Sequence, residues 1–240
     1  MKNKLFPVLF FFVFVPLFSE AQIYSGKITY ERKTNVYKKF KQREVREWID
    51  EAHKIKIDYF ELCFNDSLTF FKPQESELRE DYAWTTQKNT VYQNLKSNSR
   101  ITIKAVWGED VYLSDTLYTR KWKITDSKRN IGGYDCRKAI WEVNDSTRIY
   151  AWYTDAINTS TGPESFIGLP GAILGLATED GGVVYFAKKI EIVKNNPSAL
   201  KLNKKVKKYY TPAELKLQLQ KDYGKYPWGK AMINSVFDHW

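Results

Sequence analysis

Apolar and polar residues alternate one for one through much of this chain, and that period restricts it to extended, half-buried strands. Ile55, Ile57 and Tyr59 fall on one face of such a strand, with Lys54, Lys56 and Asp58 on the other. Ile28 and Tyr30 alternate with Lys27, Thr29 and Glu31; Ile101, Ile103 and Ala105 alternate with Thr102 and Lys104. A helix would repeat every 3.6 residues instead, so period two with β-branched and aromatic residues predicts antiparallel strands. Residues 148–155, 171–178 and 183–192 read as strands, the last two joined through Glu179 to Gly182. So short a connection demands an antiparallel pair, because parallel partners need a crossover of a dozen residues or more. One helix is signalled, from Pro212 to Asp222: Thr211 caps, Pro212 suits the first turn and Glu214 completes a capping box. Glu75 to Asp81 reads as a loop or single turn, and Asn195 to Lys205 as a crossing towards that helix. The fold class expected is mainly β: a curved antiparallel sheet, half-barrel-like, with a short C-terminal helix.

The N-terminus speaks to compartment. Lys2 and Lys4 precede an almost wholly apolar run from Leu5 to Phe18, and Ser19-Glu20-Ala21 places small residues where a signal peptidase reads. The run carries Pro7 and Pro16 and falls short of the ~20 residues that span a bilayer. Residues 1–21 are therefore expected to be a signal peptide cut at Ala21–Gln22, leaving residues 22–240 as one domain. The expected location is periplasmic or secreted, with membrane association at most peripheral. The net charge of +10 favours anionic partners. Its densest stretches, Lys38 to Arg46 and Lys201 to Lys208, read as solvated faces, and export argues against nucleic acid.

Chemistry-bearing residues are sparse. Cys63 and Cys136 could form one disulfide in an oxidising compartment or remain two buried thiols. His53 and His239 are the sole histidines, and neither position suggests a base held by an orienting carboxylate. Asp145 and Glu179-Asp180 sit in turn contexts rather than in ligand spacing. No catalytic residue, metal site or cofactor is signalled. Carboxylates that converge only in the fold, as a glycosidase requires, would escape such a reading.

The segment from Gly162 to Leu176, GPESFIGLPGAILGL, packs five glycines and prolines between apolar residues before Ala172. Gly permits positive φ and Pro removes a donor, so the segment reads as a shaped, buried loop. Its candidate residues are Gly162, Pro163, Gly168, Leu169, Pro170 and Gly171. Gly168-Leu169-Pro170-Gly171-Ala172-Ile173-Leu174 resembles the signature of the GLPGLI family, exported proteins of Gram-negative bacteria. Trp122 to Thr125, Ile131 to Ala139 and Ala151 to Thr154 extend that resemblance over about residues 120–178. It implies an exported, mainly β protein with no catalytic residue to transfer. Together with 16% aromatic residues, these features suggest a non-catalytic binding or chaperone-like module. An apolar small molecule, peptide or envelope protein would sit in its aromatic-lined concavity. The alternatives are a hydrolase with carboxylates converging in the fold, or an accessory protein of an outer-membrane transport system.

Overall fold

The computed structural model describes residues 23–74, 81–193, 200–202, 206 and 208–237. The expected leader and its cleavage junction, most of the 75–81 turn and of the 195–205 crossing, and His239 lie outside these residues. The strands are β1 (Gly26–Asn35), β2 (Ile55–Phe64), β3 (Leu68–Pro73), β4 (Thr90–Asn94), β5 (Ser99–Val106) and β6 (Glu109–Thr116). They continue as β7 (Lys123–Ile131), β8 (Tyr134–Asn144), β9 (Thr147–Thr154), β10 (Ala172–Thr178), β11 (Val183–Ile192) and β12 (Tyr209–Tyr210). Helices α1 (Val36–Lys39) and α2 (Arg43–Glu47) follow β1, and α3 (Pro212–Tyr223) and α4 (Gly229–Phe237) end the described chain.

All twelve strands belong to one open sheet in the order β12-β6-β5-β4-β3-β2-β1-β11-β10-β9-β8-β7. Every pairing is antiparallel except β12 on β6. The sheet is thus a curved, mainly antiparallel half-barrel whose end strands β12 and β7 do not pair. The three strands expected from residues 148 to 192 form, and β10 and β11 pair antiparallel across the short turn. The capping box of α3 forms as read: Thr211 accepts from the Glu214 amide while Glu214 reaches back to the Thr211 amide. Helix α4 was not anticipated.

Two strands turn their faces opposite to the expectation. In β1 the alternation holds, with Ile28, Tyr30, Arg32 and Thr34 buried. Its antiparallel partner β2 sets Phe60 opposite Tyr30 and Asp58 opposite Arg32. Paired residues share a face, so Asp58, Phe60 and Leu62 go inward and Ile55, Ile57 and Tyr59 are left about half exposed. The larger apolar set, Phe60-Leu62-Phe64, decides the register. The cross-strand row Val91–Thr102–Leu113 does the same in β5, so Thr102 shares a face with two buried apolar residues and the buried Lys104 joins it. The inner face therefore carries charge as well as aromatic bulk.

Nor is that face an open aromatic hollow. Phe166, Leu169 and Ile173 of the signature segment fill one part of it, joined to Tyr30, Phe60, Phe71 and Tyr185 in one core. Leu215, Leu219, Ile233 and Val236 of α3 and α4 pack with Leu113 over another part. A bulge in β10 places Leu174 between the paired residues Ile173 and Gly175. Tyr30 Oη donates to the Ile173 carbonyl beside it, 2.6 Å away, satisfying a group at the break in the ladder.

Cys63 and Cys136 are buried free thiols. β2 and β8, which carry them, stand five strand steps apart in the sheet. At ~4.8 Å per step, that separation is far beyond the ~6 Å between Cα atoms that a disulfide bridges. Burial pushes both thiols up to about 11, which leaves them protonated and unreactive near neutral pH.

Candidate functional site

The strongest polar centre is built around Arg32, fully buried on the inner face of β1. Its Nη2 donates to Asp58 Oδ2 at 2.7 Å and its Nε reaches the same oxygen at 3.3 Å. Nη1 donates to the Gln87 carbonyl (2.8 Å) and to Tyr185 Oη (3.2 Å), and lies 3.8 Å from Glu164 Oε1. The guanidinium also stands 4.7 Å from the centre of the Phe60 ring. Glu164 accepts from Tyr185 Oη at 2.8 Å and from Asn89 Nδ2 at 3.1 Å. Thus two carboxylates from distant parts of the chain meet on one cation.

Their environments push them in opposite directions. Burial would raise the Asp58 carboxyl, but the charge and hydrogen bonds of Arg32, with Lys88 and Lys56 nearby, hold it below the usual carboxylate range. Lys88 Nζ is 3.4 Å from Asp58 Oδ1, and Thr86 Oγ1 donates to Oδ2 at 3.1 Å. For Glu164 burial prevails and its carboxyl is raised, against the pull of Arg32, Tyr185 and Asn89. Neighbouring acids driven apart in this way are the pattern from which acid and base roles are read. Glu164 also holds a left-handed backbone at φ 55°, an uncommon conformation for a residue with a side chain.

Asp58, though buried, belongs to the wall of a cleft of about 580 Å³ that also includes His53, Tyr59, Tyr82 and Lys88. His53 Nδ1 is 2.5 Å from Asp50 Oδ1, and its ring packs on Tyr82 with centroids 4.6 Å apart. His53 therefore does have an orienting carboxylate, contrary to the sequence reading: a 3₁₀ turn over Glu51–His53 brings Asp50 three residues back beneath it. Glu164 lines a separate, smaller pocket of about 190 Å³. The carboxylates converge on Arg32, both nearly buried, and each contributes to the wall of a different recess.

The signature residues support this centre without forming a pocket. Gly162, Pro163, Leu169 and Gly171 are buried, while Gly168 and Pro170 are exposed. Gly168 (φ 98°) and Gly171 (φ 143°) take the conformations that glycine allows. Trp122 Nε1 donates to the Ile167 carbonyl at 2.9 Å, and Arg120 donates to the Ser165 carbonyl at 2.8 Å while lying over the Phe166 ring. The loop is thereby pinned so that Glu164 points to Arg32. Asp145 stays on an exposed turn, and Glu179 is paired with Arg148 and Tyr150 near the surface. Asp180 caps its own turn through Thr178 and Gly182. Among the described residues no His, Cys, Asp or Glu cluster could hold a metal ion, and no helix is long and apolar enough to cross a membrane.

Sequence reading missed Arg32, Asp58 and Glu164. A signal existed for each. Arg32 continues the inward series Ile28-Tyr30, Asp58 precedes the inward series Phe60-Leu62, and Glu164 is the one acid inside an otherwise apolar loop.

A large open β-sheet with a buried ion centre beside a cleft defines the class, and comparison with known proteins supplies the family. The N-glycanase peptide, N-terminal domain family model matches residues 73–213, and the chain belongs to that family. Its fold is that of two solved structures of PNGF-II. The one in space group C2 has a TM-score of 0.57 at 20% identity, over 89% of this chain and 33% of that one. The one in P21 has 0.56 at 20%, over 84% and 33%. This chain thus spans about a third of the length of the structures it matches. No curated protein matches it. The match corrects the GLPGLI resemblance: the motif around Gly168-Leu169-Pro170-Gly171 marks a strand-loop-strand shape, and the family is the N-glycanase one. It also overturns the non-catalytic, chaperone-like reading, which rested on missing motifs, and favours the hydrolase alternative.

Proposed function

We propose that this protein works in the hydrolytic removal of N-linked glycans from glycoproteins, as a glycan-cleaving hydrolase or as a domain that acts with one. The observation that carries this reading is membership in the N-glycanase family across residues 73–213. An N-linked glycan is joined through an amide. Its hydrolysis needs a base for water, an acid for the leaving nitrogen and positive charge near the developing oxyanion. The larger cleft gathers groups of these kinds. His53, oriented by Asp50, is the cleft group suited to proton transfer, taking a proton from water and delivering one to the leaving nitrogen. Lys88 and Lys56 suit the developing negative charge, and Asp58, engaged by Arg32, Thr86 and Lys88, anchors that cationic wall.

The test is glycan release from a glycoprotein, followed by mass spectrometry, with the purified protein alone and mixed with a competent N-glycanase. Release by the protein alone, falling about 100-fold in His53→Gln, assigns catalysis to this cleft. Faster release only in the mixture assigns the role of a partner domain. The absence of both effects would overturn the proposal. The reading includes export, since glycoprotein substrates lie outside the cell. Residues 1–21 have the three parts of a leader, and an intact mass beginning at Gln22 is the expected result. A secreted form retaining residues 1–21 would contradict it.

A further inference from the structure

We infer that the smaller pocket, between β4–β6, the Glu164-Ser165 turn and the ends of α3 and α4, binds one neutral sugar ring. The inference rests on the glycan-directed reading above and assigns the ring its own subsite. The pocket measures about 190 Å³, room for about six waters at ~30 Å³ each, the bulk of a single pyranose. Its floor is the inverted stretch of sheet, where Arg100, Thr102 and Lys104 face inward in place of Ile101 and Ile103. Strands that turn polar groups towards a core break the local rule, and such breaks concentrate at functional sites.

Beneath and beside the pocket the polar side chains are only partly satisfied. Arg100 Nη2 donates to Asp115 Oδ2 at 2.8 Å and Nη1 to Ser165 Oγ at 3.3 Å, but its buried Nε has no partner. Gln93, directly across the ladder from Arg100, is 1% exposed; its Oε1 accepts from Thr69 while its Nε2 has no partner. Arg120, the second arginine on Ser165, likewise has a buried Nε without one. Of these three residues Arg100 belongs to the pocket wall, Arg120 shares its contact with Ser165, and Gln93 lies across the ladder from Arg100. The strained φ of Glu164 lies at the same wall.

The chemistry of the walls selects the class of ligand. Arg100 is paired with Asp115 and Lys104 interacts with Glu164, so each cation in the wall already faces a carboxyl group. The pocket presents donor-only groups (Arg100, Lys104) beside an acceptor (Asp115), a mixture that suits hydroxyls, which both give and take hydrogen bonds. Val91, Leu113 and Phe237 supply apolar surface for the C–H faces of a ring. Lys88 lines the larger cleft and Asn89 this pocket, so consecutive residues connect the two recesses.

Ligand-observed NMR and calorimetry with methyl glycosides of N-acetylglucosamine, mannose and galactose, and with glucuronate and acetate as anionic probes, test the assignment. At least one neutral glycoside should saturate the protein at millimolar concentration. Thr102→Phe, which fills the pocket, and Asp115→Ala, at a partly exposed residue that need not affect folding, should each weaken it about tenfold or more. Binding only of glucuronate or acetate, no binding of any glycoside, or equal affinity in the folded variants would overturn the inference. Binding is read without hydrolysis. Sugar binding without any effect on glycan release would therefore sink the proposed function and leave the subsite, and the converse would sink the subsite alone.

Discussion

Gly171→Val should destabilise the protein by roughly 2–6 kcal/mol, combining backbone strain with overpacking. The glycine has φ 143°, and a Cβ built on it would lie 2.0 Å from the Thr154 carbonyl oxygen and 3.0 Å from that of Ile157. Those atoms are backbone and cannot swing aside. Thr154 is fixed by its pairing with Ala172, and the Ile157 carbonyl already accepts the Ala172 amide at 3.0 Å. Relieving the clash means opening the start of β10, the strand that carries Ile173 and Leu174 into the core. Gly133→Ala is the matched control, because Gly133 has φ 87° but a Cβ added there would meet nothing within 4 Å. It should cost only the conformational strain, about 1 kcal/mol. Denaturant melts of the two variants read the difference. An unchanged midpoint for Gly171→Val would mean that the loop is not packed as described.

Arg32→Met should cost about 3–5 kcal/mol at neutral pH, the usual effect of removing one partner from a buried ion pair. Methionine fills much of the volume, so the loss reports Asp58 and Glu164 left without their shared cation rather than a cavity. The pH dependence separates these causes. Arg32 lowers the Asp58 carboxyl, so the pair's contribution is fully present above the ordinary carboxylate range and is lost as pH falls through the depressed folded value. Glu164 has the opposite sign: its raised carboxyl contributes fully below the ordinary range and loses that contribution as pH rises through the folded value. Without Arg32, Asp58 keeps only Lys88 and Thr86 and Glu164 only Tyr185 and Asn89, so both buried acids are under-compensated and protonation relieves them. The gap between wild type and variant should therefore narrow as pH falls through the ordinary carboxylate range and below it, read from thermal melts across a pH series. A gap of constant size would point to lost packing against Phe60 and Tyr185 instead of lost charge pairing.

Both predictions concern features of unequal legibility. The glycine is visible in the chain itself: a Gly-Pro-rich apolar stretch between strands has few conformations open to it, and positive φ at Gly168 and Gly171 follows from local sterics. The family was not legible from the same stretch. A short apolar turn motif specifies a local shape that unrelated chains can share, whereas the family match draws on residues 73–213 together. The apolar alternation of β2 also misled, because that strand carries two apolar series on opposite faces, and period two cannot say which one a partner strand will cover.

What the sequence by itself determined was local: strand period, the β10–β11 turn, the capped start of α3 and the glycine-shaped loop all arise from dihedral preferences and bonds between near neighbours. Only the tertiary structure decided which faces turn inward. The β1–β2 register places Arg32 against Asp58, and the loop after β9 carries Glu164 to the same guanidinium from 132 positions further along the chain. A buried charge is tolerable only where its counter-charge arrives, and that arrival depends on pairings between distant segments. Side-chain alternation along one strand contains the possibility of such a centre. The long-range register of the sheet makes it real.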